Sequence, residues 1–513
     1  MCIRTVVRRD VHYSLCCVVY DPFYAISVLA LTRALEVACL KKFPAGFRFG
    51  AASAAYQIEG AWNVSDKGES IWDRVVHTRP GFVADRSTGD EACDSYHRWQ
   101  EDLKILEELG VDFYRFSISW PRLLPNGFSN HISEDGCRYY SDLIDGLLAR
   151  GIAPVLTLYH WDLPQNLQDL GGWTNPLVVE WFADYARVVF SLFAGRVHTW
   201  LTINEPCFVC DGAYRDIIAP GIEDYEIGAL LCTKYVLLAH ATAYRIYERE
   251  FKPKYGGEVS IANQEMWLEP ETEADWELTL LAREYAFGRY THPIFSGAGG
   301  WPRALEAYMA RKSETERHPR SRLPALTPEE IQLIKGSFDF FGLNHYTSRT
   351  VRALRPGERP GRYMFESLEE VGAVLGSREH WAGDGSDWLK VNPEGLRHNL
   401  NLTRQMYGDV RVLITENGCS SEDTLRDTDR VRYIHDHLEQ VLLAIEDGVS
   451  VVGYTAWSLM DDFEWIDGYQ TRFGLHAVDF TDPRRARTAR ASAHYYRDVI
   501  RSRSLHIDHK VEL

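Results

Sequence analysis

Residues 411–418 read RVLITENG, and residues 200–206 read WLTINEP. Each segment is a short run of apolar and β-branched residues that ends in a glutamate, Glu416 or Glu205, followed by Gly or Pro. A strand that is apolar on both faces belongs inside a sheet. Because a buried, unpaired carboxylate is costly, two strands that both end in a carboxylate predict a polar site at one edge of that sheet.

Six further apolar runs have the same character, and segments with a helical period separate them. In chain order the eight predicted strands are 47–53 (FRFGAAS), 111–119 (VDFYRFSIS), 152–160 (IAPVLTLYH), 199–204 (TWLTIN), 258–263 (EVSIAN), 338–346 (FDFFGLNHY), 410–416 (VRVLITE) and 451–458 (VVGYTAWS). Predicted helices include 96–110, 175–193 and 429–448. Asn175 and Pro176 have the pattern of an N-cap and a first helical residue, and Gly110 and Gly448 are placed as C-terminal caps.

Eight alternations of strand and helix predict α/β architecture, a single (β/α)₈ TIM barrel with elaborated βα loops. The alternative is an open doubly wound sheet, but no GxGxxG follows the first strand. The predicted barrel covers residues 43–501. It is preceded by an extension, 1–42, which is either a degenerate signal or a disordered segment, and is followed by a tail, 502–513.

Composition restricts the partners of the chain. The 513 residues are 45% hydrophobic and 25% charged, which is typical of a globular protein, and the net charge of −17 argues against a nucleic-acid partner. No apolar run of about 18 residues or more predicts a membrane span. The expected partner is therefore a small molecule, and the oligomeric state stays open.

Three features bear on the compartment. Arg4, Arg8 and Arg9 precede an apolar stretch, 23–40, and sequons begin at Asn63 and Asn401, which favours a secreted or luminal protein over a cytoplasmic one. The ten cysteines form no regular framework. The lone pair Cys207 and Cys210 has no second CxxC, so neither a zinc nor a redox site is predicted.

Polar side chains collect at the ends of the predicted strands. In a (β/α)₈ barrel the active site lies where the strands end. The residues at or just beyond those ends are Gln57, Arg115, His160, Asn204, Glu205, Asn344, Tyr346, Glu416 and Trp457. The barrel therefore predicts one site built from all of them.

Glu205 ends the fourth strand and Glu416 ends the seventh, so the two carboxyl groups can face each other across a closed barrel. No HExxH, aspartate-rich cluster or GxSxG segment competes for the site, so no metal or cofactor is predicted. Two facing carboxyl groups without a metal are the apparatus of glycoside cleavage. The alternative is that each glutamate forms a structural ion pair, for example with Arg115.

At these residues the chain resembles a known family. The segments that carry the resemblance are FRFGAASAAYQIEGAW (47–62), YRFSISWPRLLPNG (114–127), YHWDLP (159–164), TINEP (202–206) and ITENG (414–418). Together they look like glycoside hydrolase family 1, from about residue 43 to about residue 501. Within it the chain is most similar to animal, insect-like β-glucosidases, a group that includes insect myrosinases.

The resemblance implies a retaining mechanism in which Glu205 is the acid/base and Glu416 the nucleophile. Arg115 and Tyr346 are expected to hold Glu416 ionised, and apolar surroundings are expected to raise the pKa of Glu205. A retaining enzyme places the two carboxyl groups roughly 5–5.5 Å apart.

The resemblance also implies a sugar site, most fitting for glucose. Glu464 is expected to bind O4 and O6, Gln57 to bind O3 and O4, and His160 and Asn204 to reach O3 and O2. The remaining expected contacts are Trp161, Asn344, Trp457, Trp465 and Phe473. A phosphorylated sugar is disfavoured because Glu464 would repel it.

The aglycone side is less defined by the sequence. Trp381, Trp388 and the loop 206–225 are candidate lining residues, Cys210, Tyr214 and Cys419 are candidate rim residues, and 350–390 is a candidate lid. Two alternative functions stay open: an insect-type myrosinase that cleaves thioglucosides, and a catalytically inactive sugar-binding relative. Transglycosylation is a further possible outcome of the second step.

Overall fold

The computed structural model describes residues 42–383 and 386–505, and at its centre is a closed barrel of eight parallel strands. The strands are β1 Arg48–Ala52, β2 Phe113–Ser117, β3 Ala153–Tyr159, β4 Thr199–Asn204, β5 Glu258–Gln264, β6 Phe341–Asn344, β7 Val412–Asn417 and β8 Val451–Trp457. Each strand pairs with its neighbours in sequence, and β1 closes the barrel against β8. The predicted (β/α)₈ barrel is confirmed, and the open-sheet alternative is wrong.

The interior of the barrel is filled by apolar side chains from successive strands. One buried layer consists of Phe113, Val155, Leu201, Ala262, Phe340 and Leu413. In a closed parallel barrel such residues form a solid core, so the polar side chains of the strands can meet only at the open end. This packing explains why the strands are apolar along their length and polar only at their last residues.

A helix follows each barrel strand and covers the outside of the sheet. These helices are α1 Ser95–Leu109, α2 Glu134–Leu148, α3 Val178–Phe193, α4 Gly228–Ile246, α5 Pro328–Ile334, α6 Pro393–Tyr407, α7 Thr428–Glu446 and α8 Ala491–Ser502. Additional helices in the connections are Ala55–Ile58, Ile71–Thr78, Trp120–Leu123, Gln165–Asp169, Lys252–Tyr255, Trp276–Arg283, Arg289–Phe295 and Arg303–Thr315.

The predicted start of α3 is wrong. Helix α3 begins at Val178, with Leu177 as its N-cap, rather than after Asn175. The Asn175 Oδ1 atom instead accepts a hydrogen bond from the Leu177 backbone N–H, at 2.9 Å, within the turn that precedes the helix. Asparagine stabilises such turns as readily as it caps helices, so its position alone does not separate the two. The expected caps at Gly110 and Gly448 both have positive φ angles.

The loops after β5, β6 and β8 build small additional sheets. Four strands, Trp267–Pro270, Ser348–Ala353, Ser367–Leu368 and Ala373–Gly376, form one sheet. Two-stranded pairs are formed by Ala382–Gly383 with Lys390–Val391, and by His476–Val478 with Arg487–Ala489. Much of the segment 350–390, expected to form a lid, is therefore anchored by backbone pairing.

The strands that carry the two glutamates lose regular pairing at their ends. The register between β4 and β5 shifts after Leu201, and the register between β7 and β6 shifts between Ile414 and Glu416. Such irregularities bend a strand and turn its side chains in a new direction. The carboxyl groups of Glu205 and Glu416 are thus placed by local departures from the regular barrel.

Cysteine pairing adds a feature that the sequence analysis did not predict. A disulfide joins Cys210, just after β4, to Cys232 in α4. Cys207 retains a buried thiol, so the CxxC segment contributes one cysteine to a bridge with a distant partner. The two cysteines are 22 residues apart, a spacing that matches no cysteine motif recognised in the sequence.

The predictions for the chain ends concern mostly residues outside the described ranges. The possible signal and most of the extension fall in 1–41, and most of the tail falls in 506–513, so the division at residue 43 stays a prediction. Between residues 42 and 505, wherever the chain is described, the helices fall short of the length and apolarity that a membrane crossing requires.

Gly342 in β6 provides a test of how tightly the barrel is packed near the site. A Cβ atom at this position would lie 2.5 Å from the Ile261 carbonyl oxygen of β5. We expect Gly342→Ala to lower the free energy of unfolding by about 1–3 kcal/mol, because the neighbouring backbone must shift. Thermal unfolding measures the effect. Gly297→Ala is the matched control, since no atom lies within 4 Å of its Cβ position, and equal midpoints for the two variants would contradict the prediction.

Candidate active site

A cavity of about 390 Å³ opens at the C-terminal ends of the barrel strands. Nine of the residues predicted from the sequence line it: His160, Trp161, Glu205, Tyr346, Glu416, Trp457, Glu464, Trp465 and Phe473. Four others, Gln57, Arg115, Asn204 and Asn344, are buried and hydrogen bond to these lining residues. The structure therefore brings all thirteen predicted residues into one site, nine of them lining the cavity and four in contact with those nine.

Glu416, at the end of β7, is held by one cation and one hydroxyl group. Arg115 donates from Nη1 to Glu416 Oε1 at 2.6 Å, and the Tyr346 hydroxyl donates to Oε2 at 2.6 Å. Burial raises the pKa of Glu416 above its ordinary value, whereas Arg115 and the Tyr346 hydrogen bond lower it. These two partners favour the ionised form of a carboxylate that would otherwise be neutral in an apolar wall.

Glu205, just after β4, has no cation as a direct partner. Its Oε1 atom accepts a hydrogen bond from Asn344 Nδ2 at 2.8 Å. Burial, and then the nearby charge of Glu416, raise the pKa of Glu205 well above its ordinary value. The backbone of Glu205 has a φ of 47°, in the left-handed region that a side-chain-bearing residue adopts at a cost. The surrounding fold therefore holds Glu205 in place and favours its protonated form.

Asn204 and Asn344 connect the surroundings of the two carboxyl groups. The Asn204 Oδ1 atom accepts hydrogen bonds from Arg115 Nη2 at 2.6 Å and from Asn344 Nδ2 at 3.0 Å. Thr415 in turn donates to Asn344 Oδ1 at 2.6 Å. Since Arg115 also reaches Glu416 and Asn344 also reaches Glu205, a continuous hydrogen-bond network fixes both carboxyl groups.

His160, at the end of β3, is a neutral hydrogen-bonding group. Its Nε2 atom lies 3.0 Å from Asn204 Nδ2, an amide nitrogen that can only donate, so the proton of the neutral ring is assigned to Nδ1. Burial, followed by the charge of Arg115, holds the pKa of His160 well below its usual value. Nδ1 is buried without a protein partner. It is therefore a donor available to a ligand in the cavity.

Gln57, after β1, and Glu464, in the loop after β8, contact each other. Gln57 Nε2 is 3.3 Å from Glu464 Oε2 and also contacts Asp462 Oδ1 and the Phe463 carbonyl oxygen, both at 3.0 Å. The amide hydrogens of Gln57 are thus used within the protein, and its Oε1 atom has no protein partner. Gln57 offers a ligand an acceptor rather than both groups expected from the sequence.

Aromatic rings form much of the remaining wall. Trp161 and Trp465 pack with ring centroids 4.7 Å apart, and His160 stacks on Trp457 at 5.7 Å. Trp161 also donates its indole N–H to the Asn204 carbonyl oxygen at 3.0 Å. Flat apolar surfaces of this kind suit the faces of a sugar ring, while the polar groups around them suit its hydroxyl groups.

Comparison with known proteins gives the family. The profile of Glycosyl hydrolase family 1 matches residues 39–505. The chain belongs to glycosyl hydrolase family 1. It is therefore a glycoside hydrolase, as the motifs indicated, and its barrel is the fold of that family.

Individual relatives in family 1 are similar over almost their whole length. Myrosinase 1 of Brevicoryne brassicae is 42% identical over 474 residues, which cover 90% of this chain and 98% of the relative. Cytosolic beta-glucosidase of Cavia porcellus is 39% identical, covering 90% and 99%. The solved structure of aphid myrosinase has a TM-score of 0.85 and 42% identity, covering 90% of this chain and 99% of that one.

The cavity of this family 1 chain also contains residues that the sequence analysis did not single out. Gln264 lines it because β5 continues one residue beyond the predicted strand. Phe208, Ile217, Ile218, Met266, Met364 and Phe365 form an apolar mouth, and all but Met266 lie in the candidate segments 206–225 and 350–390. The cavity is also lined by the polar residues Arg362, Ser386, Asp387, Asp467, Gln470 and Thr471. The alternation of side chains along β5 could have indicated Gln264, whereas the mouth residues lie in loops with no periodic signal.

The structure confirms some of the residues predicted to line the aglycone side and contradicts others. Trp388 and part of the loop 206–225 line the cavity, but Trp381 does not. Cys210, Tyr214 and Cys419 are buried outside the cavity wall, so their expected rim positions are wrong. In the described ranges, no group of three His, Cys, Asp or Glu residues is arranged to hold a metal ion.

Tyr346→Phe tests the environment of Glu416. Removing a hydrogen bond to the charged form of Glu416 raises its pKa, so the acidic limb of the pH–rate profile should move to higher pH by about one unit. The measurement is kcat/KM against pH. Tyr454→Phe is the control, because its buried hydroxyl donates to Asn417 and not to either catalytic candidate. An unshifted acidic limb in Tyr346→Phe would contradict this account.

Proposed function

We propose that the protein is a retaining β-glucosidase that hydrolyses terminal β-D-glucosides by double displacement. The observation that carries the proposal is the unequal environment of two carboxyl groups in one cavity. Glu416 has Arg115 and a tyrosine hydroxyl as direct partners, while Glu205 has only an amide. Environments that separate the pKa values of two carboxyl groups assign one as the base or nucleophile and the other as the acid.

In the first step ionised Glu416 attacks the anomeric carbon and forms a bond to it. The bond from that carbon to the aglycone oxygen breaks, and protonated Glu205 gives its proton to the departing oxygen. The negative charge of Glu416 is consumed in the new ester. Since the charge that raised the pKa of Glu205 is then gone, Glu205 is stable as a carboxylate in the intermediate.

In the second step Glu205 acts as a base. It accepts a proton from a water molecule while the water oxygen bonds to the anomeric carbon and the bond to Glu416 breaks. The products are β-glucose and the regenerated pair of one acid and one carboxylate. Two inversions at the same carbon retain its configuration, and the carboxyl separation of roughly 5–5.5 Å that this requires stays a prediction.

The sugar is bound between the carboxyl pair and the loop after β8. Glu464 accepts from the hydroxyl groups at O4 and O6, and Gln57 accepts through its unpartnered Oε1 atom. His160 donates through Nδ1, and Trp457 forms an apolar floor. Asn204 and Asn344 are largely engaged with Arg115, His160 and Glu205, so they act mainly by holding these groups in place.

The aglycone lies at the apolar mouth. Phe208, Ile217, Met266, Phe365 and Trp388 surround this end of the cavity. These apolar side chains favour an aryl or alkyl group in the aglycone. Arg362, Asp387 and Gln470 of the same cavity can form hydrogen bonds to hydroxyl groups on it. The second candidate substrate is a thioglucoside, which the similarity to an aphid myrosinase favours. Glu205 supplies the proton that an alkoxide leaving group needs and is also compatible with a thiolate leaving group, so only a comparison of substrates separates the two candidates.

We also propose that the protein is secreted or luminal. The disulfide between Cys210 and Cys232 is typical of an oxidising compartment. Asn63 is exposed and suits glycosylation, whereas the Asn401 side chain is bound to Asp447 at 2.8 Å within helix α6. The relatives include a protein named as cytosolic. Mass spectrometry of the mature N-terminus and of glycosylation at Asn63 therefore tests the proposal.

Replacing Glu416 tests the nucleophile. We expect Glu416→Ala to lower kcat on a nitrophenyl β-glucoside by roughly 10⁴-fold or more, because no covalent intermediate can form. Unchanged turnover would contradict the assignment. Absence of turnover in the unsubstituted protein, together with glucose binding, would instead support the inactive sugar-binding alternative.

Glu205→Gln separates acid catalysis from binding. With an alkyl glucoside the first step needs the proton, so kcat/KM should fall by about 10²–10⁴-fold. With a dinitrophenyl glucoside, whose leaving group needs no proton, kcat/KM should stay near that of the unsubstituted protein, while kcat falls after a burst because the second step lacks its base. A thioglucoside such as sinigrin completes the panel, and a kcat/KM above that of every O-glucoside would favour the myrosinase function.

A further inference from the structure

Two carboxyl groups in the loop after β8 surround one amide group. Gln57 Nε2 lies 3.0 Å from Asp462 Oδ1 and 3.3 Å from Glu464 Oε2, and it also contacts the Phe463 carbonyl oxygen. One NH₂ group has two hydrogens for these three acceptors. Asp462 is buried, and its Oδ2 atom has no hydrogen-bond partner within the described residues. The amide of Gln57 therefore cannot satisfy both carboxyl groups if both are ionised.

No cation balances the pair. Neither Asp462 nor Glu464 forms an ion pair among the residues that the structure describes, whereas the adjacent Asp461 binds Arg490 at 2.7 Å. The titratable groups that act most strongly on the pair include Cys93, Tyr346, Glu416, Asp461 and Asp467. None of these is a cation, and Arg472 and Arg490 are directed to Asp461. Two neighbouring buried charges without a counter-ion are unstable.

The pKa shifts of Asp462 and Glu464 are those of two carboxyl groups that share one proton. Burial, and for Glu464 the charge of Asp462 next, raise the pKa of both carboxyl groups well above their ordinary values. The proximity of the two side chains acts in opposite directions on them, lowering the pKa of Asp462 and raising that of Glu464. Such a pair titrates as a unit and keeps one proton over the range in which an isolated carboxylic acid is ionised.

We infer that Asp462 is a positioning residue for the sugar site. Asp462 and Glu464 hold one proton between them, and the hydrogen bond formed by this proton keeps Glu464 oriented toward the sugar. This inference rests on the proposed function, in which Glu464 binds O4 and O6. Asp462 does not line the cavity and acts only through Glu464 and Gln57. Loss of the shared proton at high pH leaves two repelling carboxylates, and the grip on the sugar weakens.

The test compares two substrates over a range from about pH 5 to about pH 10. One is a nitrophenyl β-glucoside and the other a nitrophenyl β-xyloside, which lacks the CH₂OH group that carries O6. The quantity compared is kcat/KM for the glucoside divided by kcat/KM for the xyloside. This ratio cancels the effect of the ionisation of Glu205 and Glu416, because that effect is the same for both substrates. We expect this ratio to fall with rising pH by up to about tenfold per pH unit once the shared proton is lost.

Two substitutions identify Asp462 as the origin of the effect. Asp462→Asn keeps the shape and supplies an amide donor to Glu464 at every pH, so the ratio should stay high and independent of pH. Asp462→Leu keeps a similar size without any hydrogen bond, so the ratio should be low at every pH. Thermal unfolding of both variants checks that they are folded.

The outcomes separate this inference from the proposed function. A ratio in the unsubstituted protein that does not change with pH overturns the inference, and so does an unchanged pH dependence in Asp462→Asn. A fall in the ratio that moves to lower pH in Asp462→Asn also overturns it, because the sugar would then require a proton on Glu464 itself. If neither substrate is hydrolysed at any pH, the proposed function fails and the inference fails with it.

Discussion

The site depends on the single ion pair between Arg115 and Glu416, since that pair separates two otherwise similar buried carboxyl groups. Both glutamates are inside an apolar barrel end, where burial raises the pKa of each. Of the two glutamates, the guanidinium of Arg115 contacts only Glu416, at 2.6 Å, and so favours ionisation there. The remaining polar network, through Asn204 and Asn344, maintains this difference in charge by fixing distances rather than by adding charge.

The barrel provides the rigidity that such a network requires. Its interior layer of apolar side chains closes the bottom of the sheet, so the polar ends of several strands are forced into one volume. The local irregularities occur next to the two glutamates: the strand registers shift at the ends of β4 and β7, and Glu205 has a left-handed backbone. Backbone strain at a site of this kind is sustained by the regular packing around it.

Acidic side chains occur as two pairs around the cavity. Glu205 and Glu416 form one pair and Asp462 and Glu464 the other, and among the described residues only the first pair has a cation as a direct partner. In the proposed mechanism and in the inferred role of Asp462, one proton serves each pair of carboxyl groups. A neutral, hydroxyl-rich ligand is suited to such a cavity, because it can donate hydrogen bonds to several acceptors without bringing charge into an apolar wall.

Much of this was decided by the sequence alone. The alternation of apolar runs and helical segments determined the barrel, and Glu205 and Glu416 at two strand ends determined where the site lies, because chain direction in a parallel barrel places every strand end on the same face. Only the tertiary structure decided which groups are partners. The disulfide between Cys210 and Cys232, the apolar mouth from distant loops, and the contact of Asp462 with Gln57 join residues far apart in the chain. No local pattern encodes such contacts, since they arise from how separate loops pack over the barrel.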